Sequence, residues 1–104
     1  MNQEAKEILL EVARRITENP LRYDENFIFT PEFLCDAPKT GDIAGHIAYI
    51  QAERGLCEID EMSETVFAKG IIQDANEYAA EVIGVSYNFK YHRLFSVGNW
   101  TEPY

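Results

Sequence analysis

Ile71-Ile72-Gln73-Asp74-Ala75-Asn76-Glu77-Tyr78-Ala79-Ala80-Glu81-Val82-Ile83-Gly84 is the stretch on which the fold class turns. Its apolar residues Ile71, Ile72, Ala75, Tyr78, Ala79, Val82 and Ile83 recur at the spacing that lines one face of an α-helix. The pattern predicts a core helix over 71–83, closed by Gly84, because glycine takes the left-handed conformation that ends helices. Just upstream, Asp60 or Ser63 is placed to cap a short turn or helix holding Met62, Val66, Phe67 and Ala68, with Gly70 as the junction. Downstream, Ser86 is placed to cap a last helix carrying Phe89, Tyr91, Leu94 and Phe95, and Trp100 to pin the tail that follows.

Toward the N-terminus, Thr40 reads as the cap of another helix, with Asp42 in its first turn, Ile43, Ala44, Ile47, Ala48 and Ile50 facing inward, and Gly55 as its stop. A glycine inside a helix costs about 1 kcal/mol of propensity. Gly45 therefore predicts a tight helix crossing that offsets this cost. Ala5, Ile8, Leu9, Val12, Ala13 and Ile16 predict an amphipathic helix over 3–18, ended by Asn19-Pro20. An aromatic-rich loop with Tyr23, Phe27 and Phe29 follows, and Thr30-Pro31-Glu32 opens a short helix through Phe33 and Leu34. A chain of 104 residues has material for one core. The expectation is an all-α fold: a single domain spanning 1–104, with four or five short helices and an aromatic-rich loop after the first.

An apolar fraction of 46% argues against a disordered chain. The formal net charge of -9 opposes direct binding to a phosphate backbone. Acids concentrate in 53–81, where eight Asp and Glu stand against two basic residues. Such a face is ordinarily solvated surface, but it also suits a basic protein partner or imitation of a nucleic acid. No apolar run approaches the roughly 20 residues needed to cross a bilayer, and Met1-Asn2-Gln3-Glu4 lacks the basic region of a signal peptide. The expected setting is cytoplasmic, without membrane contact.

The only soft or nitrogen metal ligands are Cys35, His46, Cys57 and His92, separated by 11, 11 and 35 residues. Structural zinc sites ordinarily use close ligand pairs that a turn can orient, and this spacing has none. A cysteine–histidine nucleophilic pair would likewise depend on folding to bring them into contact. The plain reading makes His46 and the thiols packing groups; a Cys35–Cys57 disulfide, closing a loop of about 22 residues, is the other option for the cysteines. Gly41 and Gly45 lack the Lys-Ser or Lys-Thr of a phosphate loop, so no cofactor is expected. Candidate surface or pocket residues are Tyr23, Cys35, His46, Tyr49, Cys57, Tyr87, His92 and Trp100.

Gly41-Asp42-Ile43-Ala44-Gly45-His46, preceded by Cys35 and Thr40, resembles a pattern in a group of small uncharacterised bacterial and phage proteins. In that group a Cys-Gly-Thr segment leads into Cys-Ile-Ala-Gly and then His or Trp. Val82-Ile83-Gly84-Val85-Ser86 is similar to the group's Leu-Gly-Leu-Ser junction. Leu94-Phe95 with Trp100 resembles its closing Leu-Phe and Trp, and Asn19-Pro20 through Asp24 its opening loop. Asp42 stands where the group's pattern places its second cysteine, which removes that thiol from any shared disulfide or metal role. The resemblance covers roughly 15–103 and implies a small helical fold in a phage or mobile-element setting, with no catalytic residues to carry over. Together these readings favour a non-enzymatic acidic protein that binds another protein, with a basic partner suited to its charge, in a phage or mobile-element regulatory context; its oligomeric state is left open. The alternatives are a metal-binding or Cys/His-dependent enzyme built on Cys35, His46, Cys57 and His92, and an acidic nucleic-acid mimic.

Overall fold

A computed structural model describes residues 2–34 and 37–85. Helix α1, Gln3–Glu18, begins where the Asn2 side chain accepts the Ala5 N–H at 2.8 Å, and it buries Ala5, Ile8 and Val12. Pro20 then opens a single 3-10 turn, Pro20–Arg22. Helix α2, Ile43–Glu53, is buried on every side from Ala44 to Gln51, which explains why its residues are apolar all round. Its cap is Asp42, whose carboxylate accepts the Gly45 N–H at 2.9 Å. The expected cap, Thr40, instead donates its hydroxyl to the Ala37 carbonyl at 2.7 Å.

The expected all-α fold is overturned between Cys57 and Asp74. Strands β1, Glu58–Asp60, β2, Thr65–Ala68, and β3, Ile71–Asp74, form an antiparallel sheet in the order β1-β2-β3. Among the described residues the architecture is thus mixed: three α-helices packed against a three-stranded sheet. Lys69 and Gly70 both have positive φ, 52° and 81°, as a two-residue hairpin turn that matches strand twist requires. They fold β3 back on β2 with Ala68 opposite Ile71. Helix α3, Ala75–Ile83, therefore starts four residues later than expected, where Asp74 accepts the N–H groups of Asn76 and Glu77. The short turn or helix expected around Met62, Val66, Phe67 and Ala68 is the first hairpin, with Met62 in its turn and the other three in β2. The last helix expected from Ser86 and the Trp100 tail lie outside the described residues.

Val66 and Ala68 point inward from the sheet against the helices, while Phe67 and Ile72 pair on its outer side at 45% and 71% exposure. One core lies among the three helices around Ile8, Ile47, Ile50 and Ile83. A second joins Phe29, Tyr49, Val66 and Tyr78 beneath the sheet. The segment Phe27–Thr30 lies across the start of α2, tied by Asp42 N–H to the Phe27 carbonyl at 2.9 Å and Thr30 N–H to the Thr40 carbonyl at 2.8 Å. Gly45 meets this segment, so the helix crossing expected there is replaced by a loop contact. A Cβ on Gly45 would stand 1.9 Å from the Ile28 carbonyl oxygen, and one on Gly41 2.0 Å from the same atom.

Candidate functional site

The loop over α2 and the turn between β1 and β2 approach each other and leave an open groove of about 530 Å³. Its floor and walls are Phe27, Phe29, Pro31, Phe33 and Met62, and its carboxylates are Glu32, Glu61 and Glu64. Phe29 is buried and held edge-on against Tyr49, ring centroids 5.3 Å apart, so the floor is rigid. Phe33, on the 3-10 turn Glu32–Leu34, is 86% exposed, and Met62, at the tip of the hairpin, is 98% exposed. The hairpin is positioned by two backbone features. Glu64 takes a positive φ of 56° to bring the chain into β2, and its carbonyl accepts the Ala75 N–H at 3.0 Å. The site is therefore an apolar trough under an acidic rim, with three carboxylates and no basic residue among the described residues of its lining.

Of the sequence-predicted candidates, His46 and Tyr49 come together inside the protein, their rings 6.2 Å apart and edge-on. His46 is fully buried, and its Nε2 lies 2.7 Å from the Arg22 carbonyl, which makes Nε2 the protonated nitrogen. Its Nδ1 is buried with no partner among the described residues. Burial holds the ring's pKa below the ordinary histidine value; the Arg22 carbonyl opposes that shift, and the charges of Arg22 and Arg15 add to it. Tyr49 is buried beneath the groove and Tyr23 is partly exposed in the loop. Cys57 is a half-buried free thiol that contacts the Ala48 carbonyl at 3.6 Å and hydrogen-bonds with Tyr78. Burial pushes its pKa up, so the thiol stays protonated and is a poor nucleophile. Among the described residues, no three His, Cys, Asp or Glu side chains are grouped to hold a metal. Cys35, Tyr87, His92 and Trp100 lie outside the described residues.

Sequence reasoning missed Phe33, Met62 and the three glutamates because they meet only through the unrecognised hairpin. The available signal, Lys69-Gly70 between two short apolar runs, marks the turn from β2 to β3; the turn 61–64 that carries Met62 holds no glycine, asparagine or proline to announce it. No helix among the described residues is long and apolar enough to cross a membrane. Comparison with protein families, with curated proteins and with solved structures gives no match.

Proposed function

We propose that this protein acts by binding another protein, and that the groove between the aromatic loop and the first hairpin takes an apolar anchor side chain from a basic segment of the partner. The observation that carries this reading is the near-complete exposure of Phe33 and Met62 around an apolar floor. Covering a side chain of that size contributes roughly 1.5–3 kcal/mol, a gain that two such residues in one trough offer to a partner. Glu32, Glu61 and Glu64 choose the partner's charge. Lysine or arginine flanking the anchor meets carboxylates at the rim, while an acidic segment is repelled. The whole chain, at -9, favours the same sign of partner.

The test uses fluorescence anisotropy with the full chain and labelled peptides bearing a central Leu, Met or Phe, flanked either by Lys and Arg or by Asp and Glu. Basic-flanked peptides are expected to bind, with affinity falling as salt rises. Phe33→Asp and Met62→Asp should each abolish binding while leaving the circular dichroism spectrum unchanged, since both side chains are exposed. Equal affinity for the two peptide sets, or unaltered binding by both variants, would overturn the reading.

A further inference from the structure

A second cleft, of about 380 Å³, lies between the C-terminal end of α1, the Pro20–Arg22 turn and the Pro38-Lys39 corner. Among the described residues it is lined by Arg14, Arg15, Arg22 and Lys39 against Glu18 and Glu53. On a chain of net charge -9 this is a local reversal of sign. Three of the four cations are already engaged. Arg14 bonds Glu11 and Glu18, Arg15 bonds Glu11 and both oxygens of Glu53, and Lys39 bonds Glu53 at 3.0 Å.

Arg22 differs from the other three. Among the described residues its guanidinium has no ion pair, and its Nε is buried without a hydrogen-bond partner. Its near neighbour in sequence, Asp24, is committed elsewhere: its carboxylate accepts the Asn26 N–H at 2.9 Å and the Thr30 hydroxyl at 3.1 Å. The Arg22 backbone is held from three sides. Its N–H donates to the Asn19 carbonyl, and its carbonyl accepts from Gly41 N–H at 3.0 Å and His46 Nε2 at 2.7 Å. An unpaired planar fork on a fixed base at the wall of a cleft suits an oxyanion that accepts two parallel hydrogen bonds.

We infer that this cleft is a phosphate site, in which the unpaired Arg22 grips the phosphoryl oxygens beside Arg14, Arg15 and Lys39, whose charges are already balanced by glutamates. The ligand is inorganic phosphate or a small phosphate monoester. The inference does not rest on the apolar groove and survives its failure.

The experiment is a nitrogen-15 NMR titration of the full chain that follows the arginine Nε–H signals at constant ionic strength. Inorganic phosphate and phenyl phosphate are the probes, and chloride is the control. A saturable shift of the Arg22 signal with phosphate but not chloride, leaving Arg54 unmoved, is expected. Arg22→Gln should weaken phosphate binding about tenfold or more, as loss of a charge-assisted bidentate contact predicts. Lys69→Gln, remote from this cleft, should leave binding unchanged. Tighter binding of phenyl phosphate than of phosphate would assign the site to esters, and equal binding to the free ion. An Arg22 signal that responds to phosphate no more than to chloride overturns the site, and this readout in the unaltered chain decides the matter even if Arg22→Gln fails to fold.

Discussion

Replacing Gly45 by alanine should destabilise the protein even though alanine is the better helix former. The added Cβ would lie 1.9 Å from the Ile28 carbonyl oxygen, 2.9 Å from its carbon and 3.5 Å from Cδ1 of Phe29. Carbon–oxygen contacts settle at about 3.3 Å or more, so the loop and helix must part by roughly 1.4 Å. The loop is fastened at that place by the Asp42–Phe27 and Thr30–Thr40 backbone bonds, at 2.9 and 2.8 Å. A separation of that size takes both out of hydrogen-bond range. Each such loss costs about 1 kcal/mol, and forcing an extra carbon into a filled site adds about 1–3 kcal/mol. Alanine returns about 1 kcal/mol of helix propensity. The net expectation is a loss of about 2–4 kcal/mol, which lowers the melting midpoint of a domain this size by roughly 10 °C or more. Urea and thermal unfolding followed by circular dichroism measure it, with Thr17→Ala on the exposed side of α1 as a control expected to be neutral or slightly stabilising. A Gly45→Ala protein as stable as the parent would mean that helix propensity prevails and that the loop does not press on α2 as described.

Two further outcomes follow from the same contacts. Asp74→Ala should cost about 1 kcal/mol in urea unfolding, the usual value of a lost N-cap, because its carboxylate accepts the Asn76 and Glu77 N–H groups; a helix running through from Ile71 would instead gain from the change. Stability should fall as pH drops below about 6.5, the ordinary histidine value, toward the lower value of the folded His46. In that window the unfolded chain binds a proton that the buried ring resists. His46→Gln should flatten this slope, while the separate loss from about 4.5 down to about 2, where Glu53 leaves its Arg15 and Lys39 partners, should remain.

Helix α1 was legible because its stripe, its acidic first turn and its Asn19-Pro20 end all point to one period and one boundary. The body of α2 was legible for the same reason. Its cap was not, since Thr40 and Asp42 are both capping residues and only the fold decides which side chain reaches a free N–H. The sheet was hidden by a coincidence of spacing. Ile71 and Ile72 continue the helical period of Ala75, Tyr78 and Ala79 while standing on an exposed strand. Val66, Phe67 and Ala68 are apolar on both faces of β2, so the alternation that marks a half-buried strand never shows. The Lys69-Gly70 pair was the one local mark of a hairpin, and periodicity outweighed it.

The candidate sites were less legible than the fold because each depends on what packing leaves over. Phe33 and Met62 look like ordinary core residues in the sequence; they become a surface only because the hairpin tip and the 3-10 turn carry them past the core, which Phe29 and Val66 already fill. Arg22 poses the converse problem. With Glu18 and Asp24 close by in the chain it reads as one more neutralised surface charge. The structure spends Glu18 on Arg14 and turns Asp24 into its own loop, so the guanidinium whose backbone is pinned by His46 has no carboxylate partner among the described residues. The buried histidine thereby acquires a role that neither metal binding nor catalysis would give it: its Nε2 fixes the peptide from which Arg22 extends. Disturbing His46 should therefore weaken phosphate binding at Arg22 without removing any group that could touch the ligand.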